Sequence, residues 1–227
     1  MTVFTWSHNA FYHPYLLRRL PRRCRRVLDV GCGTGAFAAE LARRAEYVDA
    51  LDRSPEMIDK ALRSVPGNVT CILGDVRDWP LPDDGYDAIV SVTALHHVPL
   101  DEVLPVLARA LRPGGVLAAV ALPRHDLREL PIELLAIIGQ RVLAGVFFVL
   151  RTLGRGRWCA KGDDSAMPVV LDPPLTTRQV RRTAEPLLPG VRVRRLVFWR
   201  YSLVWHKPPE GAHSKPEVYE AGEGRHR

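Results

Sequence analysis

Val27-Leu28-Asp29-Val30-Gly31-Cys32-Gly33-Thr34-Gly35 decides how this chain folds: a short apolar run carrying one carboxylate, then three alternate glycines, then Ala36-Phe37-Ala38-Ala39-Glu40-Leu41. It reads as a buried strand that passes through a glycine turn into a helix. Glycines let the backbone turn tightly and approach a ligand, while the helix start offers unpaired N–H groups and partial positive charge. Such a loop serves more than one ligand. Gly31-x-Gly33-x-x-Ala36 satisfies the looser dinucleotide fingerprint, with Asp52 at a suitable distance to bond a ribose. Asp29 separates the possibilities. Each phosphate of a dinucleotide at this loop would feel that carboxylate at a cost of about 3 kcal/mol, taking ~6 Å and an effective dielectric of ~20. A cationic ligand would gain instead.

Outward from the loop, apolar strand candidates recur at about 47–51, 69–73, 86–92 and 115–121, separated by helix-like segments near 35–45, 55–64 and 101–111. Alternating β and α at this spacing implies a parallel, doubly wound α/β sheet. Ser54-Pro55-Glu56 places a capping residue before proline at the first helical position, and Arg112-Pro113-Gly114-Gly115 stops the helix at 101–111. Thr176–Leu188 reads as a short helix, and 191–206 as two strands meeting near Phe198-Trp199 that close the sheet as an antiparallel pair.

S-adenosylmethionine answers the charge argument, since its sulfonium and ammonium suit an acidic strand end and it carries no phosphate. Asp52 would hold its ribose hydroxyls, and Asp75, in Leu73-Gly74-Asp75-Val76, would accept from the adenine amino group. VLDVGCGTG, Leu51-Asp52, Gly74-Asp75, Tyr86-Asp87-Ala88-Ile89-Val90 and Leu111-Arg112-Pro113-Gly114-Gly115 together resemble class I S-adenosylmethionine-dependent methyltransferases, in order and spacing. The subtype resembles the small-molecule, ubiquinone-biosynthesis-like branch. The resemblance covers residues 25–122 most strongly. It implies a Rossmann-like seven-stranded sheet with a reversed last strand. By position it assigns Asp29, Gly31, Gly33 and Gly35 to the methionine moiety, Asp52 with its neighbour Arg53 to the ribose region, Met57 to the adenine face, and Asp75 with Val76 to the adenine edge. Ser91 and Thr93, after the fourth strand, would border the methionine part.

The chain has 227 residues, 47% hydrophobic and 25% charged, enough for one domain with insertions or tails. The expected organisation is an N-terminal lid or helix over 1–24, a methyltransferase domain over 25–207 with a helical substrate-side insertion at about 123–170, and a disordered tail over 208–227. The insertion holds more apolar residues than one helical stripe needs, which leaves burial, a partner, or peripheral membrane contact through 131–150 as its roles. No run of 18 uninterrupted apolar residues offers a conventional span. The opening MTVFTWSHNAFYH lacks the pattern of a signal peptide, and Cys24, Cys32, Cys71 and Cys159 show no C-x-x-C spacing, so a reducing cytoplasm is the expected location. No zinc site is expected, because the side chains of His96 and His97 should diverge on either a strand or a helix.

A net charge of +7 favours anionic partners without choosing among them. The Arg18–Arg26 cluster has no interleaved aromatics for stacking, so no nucleic acid partner is expected. Asp172-Pro173-Pro174-Leu175 looks like a nucleobase-holding motif but lies far from the fourth strand and lacks an aromatic last residue. The acceptor should meet residues after strand four, the insertion and the N-terminal segment, with His96 and His97 as candidate catalytic or orienting groups and His8, Tyr12 and His13 as lid residues. The expectation is methylation of a small, apolar metabolite, oxygen favoured. RNA or protein methylation, and a non-methylating cofactor-binding role, stay open as alternatives.

Overall fold

The computed structural model describes residues 9–124 and 173–210. His8, nearly all of the 123–170 insertion with its 131–150 stretch, Asp172, and the tail beyond residue 210 lie outside the described residues.

Five parallel strands come first: β1 (Cys24–Val30), β2 (Ala45–Asp52), β3 (Val69–Leu73), β4 (Tyr86–Val92) and β5 (Leu111–Ala121). Between them run α2 (Ala36–Leu41), α3 (Pro55–Leu62) and α4 (Leu100–Ala110), preceded by a 3₁₀ turn at Ala10–Tyr12 and α1 (His13–Leu17). Ser54 caps α3 by accepting from the Met57 N–H, with Pro55 behind it, as the sequence predicts. After the insertion come α5 (Thr177–Leu187), opened by a Thr176–Gln179 capping box, then β6 (Arg192–Leu196) and β7 (Arg200–His206).

The strand order is β3-β2-β1-β4-β5-β7-β6, with β7 antiparallel to both its neighbours. This is the expected doubly wound, seven-stranded sheet with a terminal antiparallel hairpin. Helices cover both faces of its centre, which is why Val27 through Val30 are buried without alternation. Leu28, Ile89, Leu117 and Leu203 enter one core layer; Val27, Val48, Val90 and Val116 enter the other. The order reverses between β1 and β4, and the crevice outside the carboxyl ends of those strands is where such sheets bind ligands. Because β7 runs backwards, its first residue, Arg200, stands at that same edge, next to the end of β5.

One boundary differs from the sequence reading. Arg112-Pro113-Gly114-Gly115 does end α4, but it belongs to β5 as a bulge: Tyr86 pairs with Leu111, and Ala88 with Val116. Arg112 reaches Asp87 at 2.7 Å, and Asp87 also accepts from the N–H groups of Arg25 and Arg26. Asp87 therefore ties together β1, β4 and β5 at the edge remote from the ligand crevice.

Candidate functional site

A cavity of about 370 Å³ opens at the carboxyl ends of β1, β2 and β4. On one side stand Gly31, Gly33, Asp52, Arg53, Met57, Gly74, Asp75 and Val76; on the other Val92, Thr93, Ala94, Leu95, His96, His97, Val98 and Leu122, with Asn9 and Arg200.

The glycine loop is held by the end of β2. Gly31 and Cys32 donate their N–H groups to the Leu51 carbonyl, while Asp52 accepts from Gly33 N at 2.8 Å and Ser54 N at 2.9 Å. Each Asp52 oxygen thus fixes one wall segment and keeps a lone pair for a ligand hydroxyl. Gly31 has φ +72°, and a Cβ there would lie 2.1 Å from the Ala94 Cβ, so the loop after β4 is packed against bare backbone. Gly35 serves a different purpose from the expected ligand contact. It does not line the cavity; with φ +79° it starts α2, and a Cβ would strike Val65 and Ala61.

Asp29 is 1% exposed, and neither carboxyl oxygen has a hydrogen-bond partner. Burial, and then the nearby charge of Asp52, push its carboxyl up to about 7. It stands behind the cavity wall rather than on it, so its influence on a ligand is through charge. A cation beside Gly31 and Gly33 would compensate this otherwise orphaned acid. Asp75 does line the cavity, but Arg77 grips both its oxygens at 3.0 and 2.8 Å; that bond, opposed by partial burial, holds its carboxyl down to about 2. Met57 and Val76 form buried apolar surface between these carboxylates.

Across the cavity, Thr93 holds a left-handed backbone at φ 59°. Its N–H bonds to Val120 O, and its hydroxyl donates to Asn9 Oδ1 at 2.7 Å. Ser91, expected beside it, is fully buried and donates to Val30 O, which makes it a strand-to-strand tie outside the cavity. His96 and His97 sit in a 3₁₀ turn with ring centroids 4.1 Å apart, correcting the expectation that they diverge. The described residues contain no group of three metal-ligating side chains. Burial, helped by the charges of His97 and Arg200, lowers His96 to about 3, and its Nδ1 is buried without a partner. Burial and the Arg53 charge also lower His97, against Asp52. Both imidazoles are neutral at physiological pH.

The N-terminal segment does reach the cavity, but through Asn9. Tyr12 and His13 are anchors: the Tyr12 hydroxyl donates to Val197 O, and His13 pairs with Glu40 at 2.9 Å beside the Phe37 ring. Neither lines the cavity. Asn9, Leu122 and Arg200 had no motif to mark them, since each reaches the site through tertiary packing. Gly74 lines the cavity, and a Cβ there would meet the Trp79 ring.

Among the described residues no helix is long and apolar enough to cross a membrane. The methyltransferase-domain family matches residues 27–115. An uncharacterized methyltransferase of Mycobacterium tuberculosis is 32% identical over 207 residues, covering 89% of this chain and 98% of its own. A fatty-acid O-methyltransferase of Mycolicibacterium smegmatis is 40% identical over 111 residues, or 46% of this chain and 40% of its own. An S-adenosylmethionine-dependent methyltransferase from Aquifex aeolicus shares the fold, with a TM-score of 0.55 and 18% identity over 86% of this chain and 88% of that one. With a methyltransferase relative matched along nearly its whole length, and the fold shared with solved methyltransferases, this chain belongs to the class I S-adenosylmethionine-dependent methyltransferases.

Proposed function

We propose that this protein transfers a methyl group from S-adenosylmethionine to an oxygen of a small molecule with an apolar body. One observation carries the reading. A single cavity joins an acidic side, with Asp52 and Asp75 on its wall and Asp29 behind, to an apolar side formed by Val92, Leu95, Val98 and Leu122.

The acidic side fits the cofactor residue by residue. Asp52 would accept from ribose hydroxyls with the lone pairs left by Gly33 and Ser54, and Met57 and Val76 would offer apolar surface to the adenine. Asp75 would use its remaining lone pairs for the adenine amino group, and Asp29 would offset the methionine ammonium. Bound there, S-adenosylmethionine supplies a methyl carbon made electrophilic by its sulfonium. The chain's remaining task is to place an oxygen behind that carbon. Holding reactants in line lowers a barrier by roughly 7–11 kcal/mol, whereas a general base contributes about 3–5.5 kcal/mol. His96, lowered to about 3, is a weak base, which favours an acceptor oxygen that is already ionised. The likeness to a fatty-acid O-methyltransferase, over less than half of each chain, supports the same acceptor chemistry.

The test is transfer of a labelled methyl group from S-adenosylmethionine to a panel of acids, phenols and alcohols, with products read by mass spectrometry. Methylated acids or phenols are the expected result. Transfer only to RNA or protein, or cofactor binding without transfer to any acceptor, would contradict the proposal.

A further inference from the structure

Arg200 is the cavity's unexplained charge. Its Nη1 donates to Phe198 O at 3.1 Å and Trp199 O at 3.4 Å, while its Nε is buried without an acceptor. No described carboxylate pairs with it, whereas the guanidinium groups of Arg26, Arg77 and Arg112 each hold an aspartate. Arg53 also lines the cavity, but it is exposed beside Asp52 and Asp75. A guanidinium taken out of water without a counter-ion is unfavourable, and a bidentate anion is the partner its geometry suits.

The surroundings hold that charge in place. Arg200 follows a three-residue turn, Val197–Trp199, in which both Phe198 and Trp199 are left-handed, at φ 56° and 50°. A left-handed backbone is unfavourable for residues with bulky side chains, so packing must enforce it. Phe198 is buried and meets Phe11 edge-on at 5.1 Å, the Tyr12 hydroxyl bonds Val197 O, and the Tyr15 hydroxyl bonds Ser202 Oγ at 2.9 Å. The N-terminal segment therefore clamps the hairpin tip and fixes the guanidinium at the cavity edge.

Resting on the methyl-transfer reading, we infer that Arg200 binds the carboxylate of an organic acid with an apolar body, and that this carboxylate is the methyl acceptor. The guanidinium holds both carboxylate oxygens, and one of them attacks with a lone pair it keeps free. The new O–CH₃ bond forms as the S–CH₃ bond breaks, its electron pair stays on sulfur, and the products are a methyl ester and S-adenosylhomocysteine. No proton moves, so no base is needed. Val92, Val98 and Leu122 receive the apolar body.

Calorimetric titration of the protein loaded with S-adenosylhomocysteine tests this with matched probes: octanoate against octan-1-ol, and 3-phenylpropanoate against 3-phenylpropan-1-ol. The acids should bind at least tenfold tighter than their alcohols. Arg200→Gln should weaken acid binding more than tenfold and leave alcohol and S-adenosylhomocysteine binding unchanged; Arg200→Lys should restore part of it. Should Arg200→Gln melt early for want of its turn contacts, the wild-type acid-to-alcohol ratio and Arg200→Lys still decide. Equal binding of acid and alcohol, or an acid preference that survives Arg200→Gln, overturns the inference alone. A wild-type protein that does not bind S-adenosylhomocysteine removes the methyl-transfer reading as well.

Discussion

Asp29, Gly31, Gly33, Asp52 and Asp75 come from three strand ends that follow one another closely in the chain, and all but the unpartnered Asp29 carboxyl are stiffened by a backbone bond, a bare glycine or a paired charge. Asn9, His96, Leu122 and Arg200 reach the other side of the cavity from four distant segments. The first side is a local construction, reproducible wherever a strand, a glycine turn and a helix succeed one another. The second exists only once the N-terminal segment and the β6–β7 hairpin have docked. Under the proposed function, the first plan serves the cofactor and the second an acceptor.

The contrast can be broken most severely at Gly31. Gly31→Ala places a Cβ against Ala94 at a positive φ, and strain plus overpacking should cost about 2–5 kcal/mol. Urea unfolding would show it, and cofactor binding should fall with it. A neutral outcome would mean that the loops after β1 and β4 are not packed as described.

Asp29 gives the next largest effect, with opposite signs for stability and binding. Its folded pKa, about 7, lies above the unfolded value, so the folded chain keeps a proton that the unfolded chain has released. Stability from this group is therefore full below about pH 4 and is lost as pH rises to about 7. Asp29→Asn should be more stable than wild type at pH 8, by on the order of 2–4 kcal/mol, with the gap closing toward pH 4. The same variant should bind S-adenosylmethionine more weakly. Equal melting temperatures at both pH values would show that Asp29 is not an uncompensated acid.

On the acceptor side the effects shrink. His96→Gln should slow transfer to an acid less than tenfold and remove no ionisation between pH 6 and 8 from the rate profile, because the native imidazole is already neutral there. A loss beyond a hundredfold would restore His96 as a general base. Tyr12→Phe removes one bond to the hairpin tip and should cost about 1 kcal/mol in stability, with a raised KM for the acceptor and an unchanged affinity for S-adenosylhomocysteine.

The same division governs what was legible in the sequence. Strand and helix periodicity, Ser54-Pro55 and the glycine loop are short-range signals, and they gave the sheet, its reversed last strand and the cavity-lining residues Gly31, Gly33, Asp52, Met57, Asp75 and Val76. Thr93 and the two histidines also reach the cavity as expected. Gly35 and Ser91 misled because a packing role and a ligand role leave the same residue in the sequence. Tyr12 and His13 were placed in the right segment, but their partners, Val197 and Glu40, are set by tertiary contact. Arg200 was hidden for the same reason, as one cation in a basic hairpin whose antiparallel run brings it to the ligand edge.

Calorimetric titration with S-adenosylhomocysteine, after removal of any co-purified ligand, tests the central claim most directly when wild type is compared with Asp52→Ala. Asp52 accepts two backbone bonds and lines the cavity, and the proposed function gives it the ribose, so the account predicts micromolar binding by wild type and a loss of roughly ten- to a hundredfold in the variant. Wild-type silence toward S-adenosylhomocysteine, or equal binding by a folded Asp52→Ala protein, would contradict it.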